Sequence, residues 1–166
     1  VASKLPRLVR ELAMWLLIGV AVSLAVDYFR QPELPQNFAS AALQTLDGKP
    51  VDLIAMSEER PLLVYVWATW CGVCRYTTPS VSALAAEGGN VMSVALRSGD
   101  NATLERWLAK KKMTLPTVND ASGSLSRQWD VQVTPTLVVI SHGEVKSITT
   151  GWTSSWGMRL RLWLAS

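Results

Sequence analysis

The sequence predicts an α/β domain with a partly parallel sheet, behind one apolar helix of membrane-spanning length. Two continuous apolar runs of strand length, Leu62–Trp67 and Val91–Leu96, are the pattern of strands buried on both faces in a central parallel sheet. Each is followed by a stretch of helical spacing, and the chain returns near its end through two strands joined by a tight turn. Leu12–Val26 carries no charged residue at all.

Composition narrows the function classes. Of 166 residues, 49% are apolar and 17% charged, which excludes intrinsic disorder and allows a sizeable core. Two cysteines are too few for a disulfide-stapled scaffold. Together with the single histidine they cannot close a four-ligand zinc site within one chain. The net charge of +3 is mostly local, since Lys4, Arg7, Arg10 and Glu11 supply +2 of it. The only basic run, Lys110–Lys112, falls at a helix C-terminus, where it complements the macrodipole. No phosphate-tracking surface follows, so nucleic acid is excluded as a partner.

The N-terminal run Leu12–Val26 reaches bilayer length if Asp27 lies at the far interface, with Tyr28 and Phe29 as belt aromatics. A transmembrane anchor over about residues 12–29 is the reading. Around Ser23–Asp27 there is no small-x-small cleavage pattern and no cysteine for lipidation, which favours an uncleaved anchor over a signal peptide. Basic residues ahead of the run place the N-terminus in the cytoplasm and the remainder outside. Residues 1–36 are therefore expected to form a basic stub, an anchor and the Pro-containing spacer Arg30–Gln36, with the working domain over residues 37–166.

Within that domain, Ala41–Leu46 and Val51–Leu53 flank Asp47-Gly48 and read as a hairpin. The strand Leu62–Trp67 leads into a helix over Arg75–Ala86 that Gly88-Gly89 ends. After Val91–Leu96, Asp100 or Asn101 caps a helix over Ala102–Lys112. A short strand at Thr117-Val118 and a helix at Ser124–Trp129 follow. Thr136–Ile140 and Val145–Thr150 form the second hairpin, and a helix over Ser155–Ala165 presents Met158, Leu160, Trp163 and Leu164.

Chemistry concentrates at Cys71-Gly72-Val73-Cys74, where a buried strand hands over to a helix. A helix N-terminus offers free N–H groups and the positive end of the dipole, both favouring a thiolate at Cys71, and Arg75 adds a cation. Two intervening residues let Cys74 attack a mixed disulfide formed at Cys71. Covalent haem attachment would need His where Arg75 stands, and a static disulfide over so short a loop is a poor staple. Pro135, just before an apolar strand, admits two readings: a trans proline at a strand start, or a cis peptide that aims the Thr134 backbone across the Cys71 sulfur.

The segment Trp67–Arg75, Pro79, and Val133-Thr134-Pro135-Thr136 together resemble the thioredoxin superfamily. The hairpin Leu46–Val51 behind an anchor is similar to its membrane-anchored TlpA-like branch, and within that to the thioredoxin-like D proteins of bacterial suppressor-of-copper-sensitivity systems. The resemblance implies a thioredoxin fold: a central mixed sheet flanked by helices, with an N-terminal hairpin extension behind one transmembrane helix. It implies a redox-active disulfide at Cys71 and Cys74, a cis-proline at Pro135, substrate-backbone contact at Thr134, shielding by Trp70 and a helix kink at Pro79. Two positions depart from the pattern: Tyr65 and Thr77 stand where relatives carry an acid, so no proton acceptor for Cys74 is identified.

The implied protein is a periplasmic thiol–disulfide oxidoreductase, anchored in the bacterial inner membrane and linked to copper tolerance. It would exchange disulfides with extracytoplasmic protein thiols and be reset by a membrane redox partner. No cofactor or metal is expected, because the cysteine pair itself carries two electrons. The rival reading is a non-enzymatic copper-binding or docking module, since thiolates suit Cu(I), although no Met or His stands in register with them. Trp107, Trp129 and Trp163 are expected in or against the core, Trp152 and Trp156 packed in preference to forming a surface patch for a partner, and His142 solvated in its turn.

Overall fold

A computed structural model describes residues 5–30 and 33–166. Lys4 of the stub and Gln31 and Pro32 of the spacer lie outside the described residues, as does the side chain of Asp27. The chain divides into two units, Val1–Gln31 and Pro32–Ser166.

In the first unit, α1 (Leu5–Arg30) runs for 26 residues, about 39 Å at the usual rise. Its Arg7–Val26 segment has a mean hydropathy of 1.9 and none of it is buried. A helix satisfies its own backbone, so length and composition suffice for it to cross a bilayer.

The second unit opens with a single 3-10 turn, Phe38–Ser40, and a small hairpin of β1 (Leu43–Gln44) and β2 (Pro50–Val51). Gly48 turns that hairpin with φ of +80°, a conformation suited to glycine. Next come α2 (Leu53–Glu58), β3 (Leu62–Trp67), α3 (Cys74–Ala86), β4 (Val91–Leu96) and α4 (Asn101–Lys110). The chain continues with β5 (Thr117–Asp120), α5 (Ser124–Gln128), β6 (Thr136–Ser141), β7 (Glu144–Thr150) and α6 (Ser155–Leu164). The main sheet has the order β5-β4-β3-β6-β7. β3, β4 and β5 are parallel, while β6 and β7 are antiparallel.

Alternation along the strands divides the core in two. Leu62, Val64, Val66, Met92, Val94, Val138 and Ile140 face one side, against Phe38, Leu53 and Trp129. Leu63, Tyr65, Trp67, Val91, Ala95, Leu137 and Val139 face the other, against Val81, Leu84, Leu104 and Met158. The expected mixed sheet, helices and N-terminal hairpin are all present, and Asp100 caps α4 by accepting from the Thr103 amide at 2.8 Å.

Two expectations are corrected. Leu53 is not the end of a strand but the start of α2, whose amide at Ala55 donates to the Asp52 carboxylate at 3.0 Å. The Asx cap and the Pro61 stop were the available signals, and the apolar hairpin pattern overrode them. In α6 only Met158 is buried; Leu160, Trp163 and Leu164 are exposed, as are Trp152 and Trp156. Trp129 is buried, Trp107 half-buried and His142 exposed in its turn.

Asp120 ties the sheet edge to α5. Its buried carboxylate accepts from the Leu125 amide at 3.2 Å, the Ser126 amide at 2.8 Å and the Ser126 hydroxyl at 2.7 Å. Asp120→Ala strands these donors and should cost about 2–3 kcal/mol. Asp100→Ala at the exposed cap should cost only about 1 kcal/mol. Urea unfolding of the full chain in detergent, compared across the two variants, checks the order.

Candidate active site

β3 is buried at every residue, so the chain leaves the sheet only beyond Trp67, at the strand's C-terminal end. There Ala68–Val73 turns into α3, and Cys71 and Cys74 are joined by a disulfide with their Cα atoms 5.3 Å apart. The two sulfurs differ in access. Cys74, in the first turn of α3, is 2% exposed, whereas Cys71 is only half-buried. The Cys74 amide donates to Cys71 Sγ at 3.1 Å, so one of the unpaired N–H groups of the helix start points at the accessible sulfur. With the disulfide reduced, that donor and the dipole favour negative charge on Cys71.

The turn is braced from the end of β4. The Thr69 amide donates to Ser98 Oγ at 2.9 Å, and that hydroxyl donates to the Leu96 carbonyl at 3.0 Å. Trp70 Nε1 donates to the Arg97 carbonyl at 3.1 Å while its ring stays 63% exposed. Arg97 holds a left-handed φ of 44°, which sets this carbonyl. Neither Arg97 nor Ser98 was foreseen, because a polar pair after an apolar strand has no distinguishing pattern.

The Thr134–Pro135 peptide is cis, which settles the alternatives left by sequence. The Thr134 carbonyl oxygen lies 3.5 Å from Cys71 Sγ. Pro135 is buried, and its carbonyl accepts from the Gly151 amide at 2.8 Å. The Thr136 hydroxyl donates to the Val133 carbonyl at 2.6 Å, closing the loop. The structure thus brings Cys71, Cys74, Thr134 and Pro135 together, with Trp70 beside them. Pro79 lies inside α3.

The buried residues Tyr65, Thr77 and Thr78 carry no charge, and Tyr65 shares a core with Cys74. The Tyr65 hydroxyl and Thr78 Oγ1 are 2.8 Å apart, both buried. Burial raises the Tyr65 hydroxyl well above its ordinary value, with the Thr78 bond opposing weakly, so it stays neutral. Thr77 Oγ1 donates to the Val73 carbonyl at 3.4 Å. Trp67 stacks on Tyr65 at 6.4 Å and meets Trp107 at 5.1 Å. Beside the disulfide a cleft of about 440 Å³ opens, its outer wall formed by Trp70, Arg75, Trp107 and Lys111. Trp107 and Lys111 were assigned by sequence to a core face and a solvated helix end. Among the described residues no group of three or more His, Cys, Asp or Glu gathers to hold a metal ion.

This geometry suits dithiol–disulfide exchange: one accessible sulfur with a donor aimed at it, and a shielded partner within bonding reach. Residues 31–154 match the Redoxin family. The chain is 39% identical over 162 residues to the thioredoxin-like protein of Haemophilus influenzae, covering 98% of this chain and 97% of that one. It is 29% identical over 151 residues to the thiol:disulfide interchange protein DsbE of Pseudomonas fluorescens, covering 87% and 84%. The crystal structure of a secreted Mycobacterium tuberculosis disulfide oxidoreductase homologous to E. coli DsbE superposes with a TM-score of 0.65 at 21% identity, over 78% of this chain and 99% of that one. Fold, cysteine pair and relatives define a thiol–disulfide oxidoreductase with a thioredoxin fold. The chain belongs to the Redoxin family and is of its DsbE- and thioredoxin-like type.

Tyr65 gives a pH-dependent test. Its hydroxyl titrates near 10.0 in an unfolded chain and higher in the fold. The stability it confers is therefore complete below about pH 10 and lost as pH rises beyond it. Tyr65→Phe should cost about 1 kcal/mol at pH 7, where Thr78 loses its partner, and the gap to the parent should narrow at pH 11. Urea midpoints at the two pH values measure it.

Proposed function

We propose that this oxidoreductase is anchored in the bacterial inner membrane by α1 and acts in the periplasm on extracytoplasmic protein thiols and disulfides. Residues 1–36 would be the stub, anchor and spacer, and residues 37–166 the catalytic domain. The observation that carries the reading is the asymmetry of the cysteine pair: Cys71 accessible under the Cys74 amide, Cys74 buried.

In the reducing direction the Cys71 thiolate attacks one sulfur of a client disulfide, and the other client sulfur leaves as a thiolate that takes up a proton. Cys74, once deprotonated, attacks Cys71 Sγ in the mixed disulfide, releasing the second client thiolate and leaving Cys71–Cys74 oxidised by two electrons. The oxidising direction is the same sequence reversed. Thr134 would pair with the client backbone beside Cys71, and Pro135 would hold that carbonyl in place and keep a competing N–H away from the sulfur. Trp70 would cover the mixed disulfide from the opposite side. A membrane redox partner with its own dithiol or disulfide would reset the pair.

The finer assignment, to the thioredoxin-like D branch with a role in copper tolerance, is supported by the motif resemblance and by the affinity of paired thiolates for Cu(I). Its clients would be cysteine-bearing proteins that copper oxidises.

Cys71→Ser in the full chain should abolish insulin reduction and thiol oxidation. Cys74→Ser should keep the first attack and accumulate a covalent client adduct on non-reducing gels. Undiminished turnover by Cys71→Ser would refute the assignment of the nucleophile. Equilibration with glutathione buffers sets the direction: a potential below about −200 mV marks a reductase, one near −120 mV an oxidase.

A further inference from the structure

α6 carries an apolar stripe on its solvent side. Trp156, Leu160, Trp163 and Leu164 follow one another at helical spacing and are 83%, 53%, 71% and 67% exposed. The opposite side, with Met158 buried and Leu162 half-buried, is what seats the helix on the domain. Trp152, just ahead of the Ser154 cap, is exposed as well. Single exposed apolar residues need no explanation, but a contiguous helical stripe marks a contact surface.

We propose that this face of α6 lies in the headgroup–acyl boundary of the membrane that holds α1. The proposal rests on the reading of α1 as an anchor. Composition favours lipid over a protein partner: tryptophan with leucine on one face, and arginine on the same element, is the make-up of interfacial helices. α6 carries Arg159 and Arg161 and no acid of its own, which complements anionic headgroups. Arg159 is already paired with Glu87, while Arg161, among the described residues, donates to the Gly157 carbonyl at 3.0 Å and meets no carboxylate. Chain length supplies the remainder. From Arg30 to Phe38 the backbone reaches at most about 29 Å, so lipid stays at high effective concentration for this face.

The test uses the full chain at one copy per nanodisc, in phosphatidylethanolamine and phosphatidylglycerol with or without brominated acyl chains. The parent is compared with the double variant Trp156→Ser/Trp163→Ser by quenching of tryptophan emission. Trp15, within the apolar segment of α1, is the internal control. If α6 meets lipid, the variant loses two quenched emitters and its quenched fraction falls. If only Trp15 meets lipid, removing two unquenched emitters makes the quenched fraction rise, which overturns the proposal and would leave the face to a second copy or a protein partner. If neither protein is quenched, the anchor reading itself fails, and this inference with it. Both replaced residues are exposed, and matching far-UV circular dichroism shows that the variant is folded.

Discussion

β3 governs the domain because none of its six side chains reaches solvent. Alternate residues enter two separate cores, Val64 and Val66 on one side and Tyr65 and Trp67 on the other, so a one-residue slip would exchange both sets at once. Its parallel pairing with β4 and antiparallel pairing with β6 fix both edges. A strand held this tightly can present chemistry only where it ends. The two loops that flank that end, Arg97-Ser98 after β4 and Thr134-Pro135 before β6, come from its two sheet neighbours. The position of Cys71 is thus set by sheet register, adjusted by the bonds that Thr69 and Trp70 donate to Ser98 and Arg97 and by the approach of the Thr134 carbonyl.

The same logic explains what could be read from the sequence. A run such as Leu62–Trp67 admits few structures, and Cys71-Gly-Val-Cys74 at its end is chemically specific, so fold class and cysteine pair were legible. α2 was not, because six residues of mixed character after a hairpin turn satisfy strand and helix patterns equally, and only Asp52 and Pro61 favour the helix. Ser98, Arg97 and Thr78 act through contacts 13 to 29 residues distant, which no local pattern encodes. The isomer of Pro135 was undecidable because a proline at a strand start takes either form.

Tyr65 stands where the resemblance implies an acid, in the core that Cys74 joins. A carboxylate there would offer a proton acceptor, yet would also oppose ionisation of a neighbouring thiol by like charge. Tyr65, kept neutral by burial and bonded to Thr78, does neither. Tyr65 and Trp67 stack in that core, Trp67 meets Trp107 of the cleft wall, and the charged side chains lining the cleft are Arg75 and Lys111.

An outward apolar stripe on α6 has a consequence for that chemistry. The Gly151 amide bonds to the Pro135 carbonyl, and Trp152 is the next residue, so exposed tryptophans start at the rim of the site and continue along the helix. A protein that used its exposed tryptophans only to grip clients would concentrate them around Cys71, as Trp70 is. Trp156 and Trp163 instead stand on the exposed side of α6, at its first and last turns. A surface that begins beside Cys71 and extends along a helix is suited to holding the domain in one orientation. If lipid is what it meets, the accessible sulfur is kept beside the membrane, within reach of a redox partner embedded there. The anchor would then supply proximity, and α6 the aim.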